Sequence, residues 1–142
     1  MKKITQLNNI IILDLDGVLI NTPQWKPDRL HTDGYSDFNE KSVINLNKIL
    51  EETGYDIILS STRRTKTDID LMNQYFKNRG IIKPIIGYVP EYDVSTRLEE
   101  IELFLSEHDP TNYLIIDDDK SLSGGSDRIK NNWKQTYYLV GL

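Results

Sequence analysis

The stretch 10–20 constrains the fold more than any other part of this chain, because four apolar residues lead directly into Asp14-Leu15-Asp16-Gly17. An apolar run that ends at a turn signal is typical of a buried strand in a parallel sheet. Side chains two residues apart on a strand share one face, so Asp14 and Asp16 are expected to point into the same space. Two carboxylates held close together repel each other, so one must bind a proton or a cation must lie between them. These residues alone also permit a second interpretation, a polar strand end followed by a turn.

Composition limits the kind of site that such a strand could carry. Of the 142 residues, 38% are hydrophobic and 27% charged, which predicts one globular domain, 1–142, with a core of its own. The absence of cysteine excludes thiolate chemistry and leaves oxygen ligands for a metal, and the net charge of -5 disfavours non-specific coating of nucleic acid. No apolar stretch reaches the ~18 residues that span a bilayer, and no signal peptide is evident. We therefore expect a cytoplasmic protein with no membrane partner.

Helix and strand patterns alternate along the chain, which predicts an α/β fold. The expected architecture is a three-layer Rossmann-like sandwich with a mainly parallel five-stranded sheet. An irregular segment, 21–38, follows the first strand. Helices are predicted over 39–50 and 67–79 and from Ser95 or Thr96 onward, and later strands over 55–60, 81–89, 113–116 and 136–140.

Three of the predicted strands end in residues that suit phosphate chemistry. Ligands of open α/β sheets bind beyond the carboxyl ends of the strands. Carboxylates there can bind Mg²⁺, hydroxyls can bind phosphoryl oxygens, and a basic residue can offset charge. The residues at these ends are Asp14-Leu15-Asp16, Ser60-Ser61-Thr62-Arg63 and Asp117-Asp118-Asp119.

These motifs resemble those of the haloacid dehalogenase-like (HAD) phosphohydrolase superfamily, in the order that this family requires. Residues 14–18 resemble its first motif, 57–61 the second and 114–119 the fourth, and a basic residue at the start of the preceding helix resembles the third. The endings of the second and fourth motifs are also similar to the capless HAD domain of RNA-repair proteins and, more loosely, to the phosphatase half of polynucleotide kinase–phosphatases. No phosphate-binding loop of the kinase type is present.

The resemblance implies catalysis through an aspartyl-phosphate. Asp14 would attack phosphorus, and Asp16 would protonate the leaving oxygen and then activate the water that hydrolyses the intermediate. Gly17 would permit the turn that brings backbone N–H groups toward the phosphate, and Ser61 would donate a hydrogen bond to a phosphoryl oxygen.

The resemblance also implies an Mg²⁺ cofactor. Its ligands would be Asp14, Asp118 and Asp117, together with the backbone carbonyl of Asp16. Asp119 is interpreted as a helix cap.

Two site assignments stay open at this point. Ser61 is preferred for phosphate binding because Ser61-Thr62-Arg63 resembles the hydroxyl-x-Arg ending of the family, but Ser60 is an alternative. Arg97 is the preferred third-motif base, because arginine keeps the charge and can bind bidentately. Its alternatives are Lys83 and Lys77, or a role for Arg97 as a solvated residue at a helix start.

Segment 21–38 is too short for a folded cap domain, so we expect a flap or loop insert over an open active site, with no separate cap domain. Aromatic and basic side chains beside a phosphate site suit nucleotide or polynucleotide ends, since rings stack on bases and cations meet phosphates. Alternatively, Trp25 pins the loop to the core and the basic residues are solvated. The predicted substrate-binding residues are Gly17, Ser60, Thr62, Arg63 and Trp25, with Lys26, Arg29, His31, Arg64 and Lys66 as further cations.

The predicted function is an Mg²⁺-dependent phosphomonoesterase that acts on nucleotide or polynucleotide end phosphates. The alternatives are a small-molecule phosphatase for sugar phosphates or mononucleotides, and a non-catalytic module that binds phosphate or nucleic-acid ends on the same fold. A receiver-type phosphoacceptor is disfavoured, because the third strand segment ends at 87–90 without an aspartate. An oligomer is possible but not indicated.

Overall fold

The computed structural model describes residues 7–142, so the first six residues of the predicted domain lie outside the described part. Its elements alternate as the sequence predicts. In chain order they are β1 (Asn9–Leu13), α1 (Glu40–Thr53), β2 (Asp56–Leu59), a first 3₁₀ helix (Thr62–Thr65), α2 (Ile69–Asn78), β3 (Ile85–Tyr88), α3 (Arg97–His108), β4 (Asn112–Asp117), a second 3₁₀ helix (Lys120–Gly124), α4 (Asp127–Asn131) and β5 (Trp133–Gln135).

The sheet has five strands in the order β3-β2-β1-β4-β5, and every pair within it is parallel. β1 is the central strand, with β2 on one side and β4 on the other. Its residues 10–13 are all buried, as expected for an apolar strand covered on both faces. The predicted α/β class and parallel sheet are therefore confirmed.

Each face of the sheet has its own apolar core, which gives the three predicted layers. Ile11 and Leu13 of β1 pack on the side covered by α1 and α2. Ile10 and Ile12 pack on the side covered by α3 and α4. The alternation of side chains along a strand explains this division.

The helices begin and end at residues that satisfy their free backbone groups. Asn39 caps α1 by accepting a hydrogen bond from Ser42 N–H, and α1 ends at Gly54, where φ is +66°. Asp68 and Thr96 cap α2 and α3 in the same way. The three predicted helices are therefore present, with bounds shifted by one to three residues.

The predicted fifth strand over 136–140 is wrong in position. β5 lies earlier, at Trp133–Gln135, and the chain then turns back between Tyr137 and Gly141, which form an isolated antiparallel bridge. Residues 136–140 favour a strand by composition, but this preference is overridden by their surroundings. Gly141, at φ +77°, permits a tight turn, and the segment packs beyond the end of the sheet. The third strand is also shorter than predicted, since it starts only after Pro84, which lacks the N–H group that a ladder needs.

Segment 21–38, which we call the flap, contains no helix or strand of its own and is held by Arg79. The Arg79 side chain is 2% exposed and binds Asp33 through both carboxylate oxygens. It also donates to the backbone carbonyls of Tyr35 and Ser36 in the flap and of Tyr75 in α2. The Tyr35 and Tyr75 rings stack with 4.3 Å between their centroids. A buried cation and a ring pair therefore anchor the flap to α2.

Replacing Arg79 by methionine is expected to lower the free energy of unfolding by about 2–4 kcal/mol, because the substitution leaves carbonyls and a carboxylate without their buried partner. Urea unfolding followed by circular dichroism measures the loss. Arg29→Met is the matched control, since Arg29 pairs with Asp37 while its side chain is 89% exposed, and we expect a loss below about 1 kcal/mol. Equal losses in the two variants would contradict the anchoring role of Arg79.

Within residues 7–142, no helix combines the length and the apolar character that crossing a membrane requires. The cytoplasmic location and the single-domain organisation stay predictions.

Candidate active site

The carboxyl ends of β1 and β4 bring three aspartates together. β1 and β4 are adjacent, and the Asp14 N–H donates to the carbonyl of Ile116 at 3.1 Å, which sets the two strand ends side by side. Asp14, Asp117 and Asp118 each offer a carboxylate oxygen, and these oxygens lie within 4.8 Å of one another. This group, which we call the aspartate cluster, could hold a metal ion.

The electrostatics of the aspartate cluster favour a cation. Burial raises the pKa of Asp14 to about 6 although Arg97 favours its charged form, and the neighbouring Asp118 adds to the rise. Burial, followed by the charge of Asp14, raises the pKa of Asp117 well above its usual range. Burial also raises the pKa of Asp118. Three carboxylates that ionise reluctantly in one place are stabilised by a positive charge between them.

One buried oxygen supports the same conclusion. Oδ2 of Asp117 is buried and accepts no hydrogen bond from residues 7–142, although Arg97 Nε lies 3.3 Å from it. A buried polar atom without a hydrogen bond is unfavourable. Oxygen ligands are what Mg²⁺ and Ca²⁺ prefer, so the residues present fit a hard divalent cation.

Gly17 lies directly against the aspartate cluster. Its φ of +85° permits a tight turn after Asp14, in which three successive N–H groups of residues 18–20 donate to the carbonyl of Leu15. A Cβ at position 17 would lie 2.3 Å from Oδ2 of Asp118. The sequence predicted that Gly17 permits the turn. The structure shows in addition that a side chain at this position would displace Asp118.

The structure places Arg97 at the aspartate cluster. Arg97 is the first residue of α3, and its side chain is 11% exposed. The guanidinium lies 3.8 Å from Oδ1 of Asp14 and 3.3 Å from Oδ2 of Asp117, and it donates to the carbonyl of Ser60. The alternative that Arg97 is a solvated residue is wrong.

Neither lysine alternative lies at the aspartate cluster. Lys83 binds Asp56, the first residue of β2, and the carbonyl of Gly54, so it lies at the opposite end of the sheet. Lys77 is exposed on α2. Pro84 and the turn before β3 hold Lys83 at the amino end of the strands, which sequence position alone could not indicate.

The two serines after β2 have different hydrogen bonds. Ser60 Oγ donates to the carbonyl of Leu13 at 3.2 Å, so its proton is used within the protein. Ser61 Oγ accepts from Arg63 N–H and caps the first 3₁₀ helix, which leaves its own O–H able to donate. This difference favours Ser61 as the phosphate-binding hydroxyl. Thr62 is exposed and lines a shallow groove with Arg97.

Asp16 lies apart from the aspartate cluster and binds Arg63. The pair is bidentate, with Nε and Nη2 of Arg63 each 2.9 Å from an oxygen of Asp16. Arg63 also binds Asp28 and Ser36 of the flap, at 3.0 and 3.1 Å. The carboxylate of Asp16 is therefore not one of the grouped metal ligands, and a role of its backbone carbonyl stays a prediction. Arg63 uses most of its donors on the protein, which makes it a residue that positions Asp16 and the flap.

Arg64 is not a surface cation, contrary to the sequence prediction. Its side chain is 3% exposed and donates to the carbonyls of residues 60 and 61 and to Glu100. The first 3₁₀ helix turns this arginine inward, where it fixes the backbone of both candidate serines. Its other acceptors are the carbonyls of residues 89 and 90, beyond β3.

The remaining predicted residues have simpler environments. Trp25 is 77% exposed on the flap, so the alternative that it pins the loop to the core is wrong. Its predicted contact with substrate stays a prediction. Asp119 caps the second 3₁₀ helix by accepting from Ser121 N–H, as interpreted from the sequence.

Sequence reasoning missed two residues that contact the predicted site. Asp28 of the flap shares Arg63 with Asp16. Thr136 Oγ1 donates to the carbonyl of Gly17 at 2.8 Å, from the segment predicted as the fifth strand. No local pattern marks either residue, because Asp28 lies in an irregular loop and Thr136 is far away in sequence.

Comparison with known proteins agrees with this geometry. The family model described as "HAD domain in Swiss Army Knife RNA repair proteins" matches residues 10–142. No curated protein matches the chain.

Proposed function

We propose a function from the premise that this chain belongs to the family of HAD domains in Swiss Army Knife RNA repair proteins. Membership of this family suggests a phosphatase or another hydrolase. The proposed activity is Mg²⁺-dependent hydrolysis of phosphomonoesters through an aspartyl-phosphate. The observation that carries the proposal is the convergence of Asp14, Asp117 and Asp118 within 4.8 Å, beside the Arg97 guanidinium.

The environment of Asp14 suits a nucleophile. Its Oδ1 accepts a hydrogen bond from Leu15 N–H at 2.8 Å and is the oxygen nearest Arg97. We assign the attack on phosphorus to the other oxygen, Oδ2. Mg²⁺, when bound, would supply positive charge that offsets the carboxylates and the phosphoryl oxygens.

Two proton transfers complete the proposed reaction. For the first turnover Asp16 takes up a proton from solvent in place of one of its two hydrogen bonds from Arg63. As Asp14 Oδ2 forms its bond to phosphorus, the bond to the leaving oxygen breaks, and Asp16 gives that oxygen its proton. Water then attacks the phosphorus of the aspartyl-phosphate, gives its proton to Asp16 and releases inorganic phosphate from Asp14. Ser61 and Arg97 would bind the phosphoryl oxygens during both steps.

The proposed substrate is the terminal phosphate of a nucleotide or polynucleotide. The family description names RNA repair proteins, and RNA is a polynucleotide. An exposed tryptophan, Trp25, lies on the flap, and within residues 7–142 the flap has no helix or strand that would form a folded cap over the aspartate cluster. An open site with an exposed ring is compatible with a long chain that continues past the terminal phosphate.

Release of inorganic phosphate tests this proposal. We expect turnover of 3′- or 5′-phosphorylated oligonucleotides in Mg²⁺ and at least about 10²-fold less in EDTA, since the aspartate cluster then repels the phosphate. Mononucleotides and sugar phosphates are the comparison substrates. A preference for sugar phosphates would exclude the polynucleotide substrate, and no turnover of any of the four substrates would exclude the activity.

A further inference from the structure

The segment 136–142 folds back over the turn that follows Asp14. Thr136 Oγ1 donates to the carbonyl of Gly17, and Leu142 N–H donates to the carbonyl of Val18 at 2.9 Å. Between these two anchors the chain makes the tight turn that the bridge between Tyr137 and Gly141 closes. Segment 136–142 is therefore attached at both ends to the turn that also contacts the aspartate cluster.

Close packing keeps this segment in place. A Cβ at Gly141 would lie 2.7 Å from Ser42 Oγ and 2.8 Å from the carbonyl of Val18. Asn21, at the start of the flap, donates to the carbonyl of Leu139 at 3.1 Å. The flap and segment 136–142 are thus joined by a hydrogen bond, and the flap is also tied to Asp16 through Arg63, which binds both Asp16 and Asp28.

Tyr138 lies between two contacts of this segment, that of Thr136 with the turn at Gly17 and that of Leu139 with Asn21 of the flap. Its half-buried side chain lies close enough to Asp16, Asp28, Arg63 and Asp118 for their charges to act on its hydroxyl. Partial burial, followed by the charge of Asp16, raises the pKa of that hydroxyl, so the ring stays neutral at physiological pH.

We propose that segment 136–142 is a wall of the substrate site and that the Tyr138 ring stacks on the nucleoside that carries the terminal phosphate. This inference rests on the proposed function, in which Asp16 faces the leaving oxygen. The group attached to that oxygen must then lie on the Asp16 side of the phosphate, which is where Tyr138 lies. The neutral Tyr138 ring offers a flat apolar surface on which a base can stack. Such stacking accepts any of the bases, because each has a flat aromatic face.

Binding of a labelled oligoribonucleotide with a terminal phosphate tests the proposal, measured by fluorescence anisotropy in Mg²⁺. The parent protein carries Asp14→Asn to block turnover. Tyr138→Ala is expected to weaken binding by about tenfold, whereas Tyr138→Phe keeps the ring and changes it by less than about twofold. Tyr137→Ala is the matched control, because it removes a 62% exposed ring from the same turn, and it is expected to change binding by less than about twofold.

The outcomes separate this inference from the proposed function. Equal affinity of Tyr138→Ala and its parent, an equal loss in Tyr137→Ala, or no binding by the parent would overturn the inference. A further combination is that Tyr138→Ala weakens binding while Tyr137→Ala and Tyr138→Phe do not, and the wild-type protein releases no phosphate from the same oligoribonucleotide. That combination supports the binding role of Tyr138 and refutes the proposed activity. Phosphate release that is unchanged by Tyr138→Ala removes the inference and leaves the activity.

Discussion

Asp14→Asn is expected to lower phosphate release by at least about 10³-fold while leaving the fold intact, because an amide cannot form the aspartyl-phosphate. The substitution keeps the shape of the side chain and an oxygen that can accept the hydrogen bond from Leu15 N–H. Steady-state phosphate release at saturating substrate measures the effect on activity. Circular dichroism and thermal unfolding measure the effect on the fold.

The stability of Asp14→Asn has a predictable sign. The Asp14 carboxyl ionises at its ordinary pKa of 3.8 in the unfolded chain but has a pKa of about 6 in the folded one, so its ionisation opposes folding of the metal-free protein increasingly between these values and fully above pH 6. The neutral amide removes this opposition, and we expect a Tm in EDTA at pH 7.5 that is equal to or higher than that of the wild type. Near pH 4.5, where the folded protein keeps the Asp14 carboxyl protonated and the unfolded chain is only partly protonated, the difference in Tm is expected to shrink.

A charge-matched control separates the nucleophile from the loss of a negative charge. Asp127→Asn removes one carboxylate whose side chain is 97% exposed at the start of α4, and we expect turnover within about twofold of the wild type. Substantial turnover in Asp14→Asn, or an equal loss in Asp127→Asn, would refute the assignment of Asp14.

The sequence predicted those parts of the fold that depend on local patterns. Apolar residues 10–13 are typical of a covered strand, and the caps Asn39 and Thr96 mark helix starts through hydrogen bonds made within one turn. β5 was misplaced because the β-prone residues 136–140 are controlled by contacts with Gly17 and Val18, more than a hundred residues earlier. Local propensity cannot include such a contact.

The same distinction applies to the candidate site. Parallel strands align their carboxyl ends, so the meeting of Asp14 with Asp117 and Asp118 follows from topology once the strands are known. The partners of the arginines do not follow, because Arg63 and Arg64 are neighbours in sequence and have opposite environments. Arg63 binds carboxylates at the mouth of the site, while Arg64 is buried among carbonyls. Successive side chains of a 3₁₀ helix point about 120° apart, so the short helix at Thr62–Thr65 sends these neighbours in different directions, and composition carries no information about it.

Gly17→Ala is expected to lower phosphate release by about 10²-fold or more, because the added methyl group displaces the carboxylate of Asp118. A Cβ at position 17 would lie 2.3 Å from Asp118 Oδ2, well inside van der Waals contact. Displacement of a ligand by about 1 Å at a reacting centre can reduce the rate by about 10²-fold. The Mg²⁺-dependent rise in Tm reports the same damage without catalysis. For the wild type, binding at 100 times the Kd stabilises the fold by about 2.7 kcal/mol, and we expect this rise to be lost in the variant.

Gly34→Ala controls for backbone strain in this experiment. Gly34 has φ +88°, nearly the same as +85° at Gly17, but nothing lies within 4 Å of a Cβ at position 34. In both variants the alanine must adopt a left-handed conformation, which costs about 1–2 kcal/mol. We therefore expect a similar decrease in Tm for both variants in EDTA, relative to the wild type. Only Gly17→Ala should lose the Mg²⁺-dependent rise and the activity. If Gly17→Ala keeps both, its contact with Asp118 does not hold the metal ligand in place. If Gly34→Ala loses both, backbone strain alone accounts for the losses, and the contact with Asp118 is not needed to explain them.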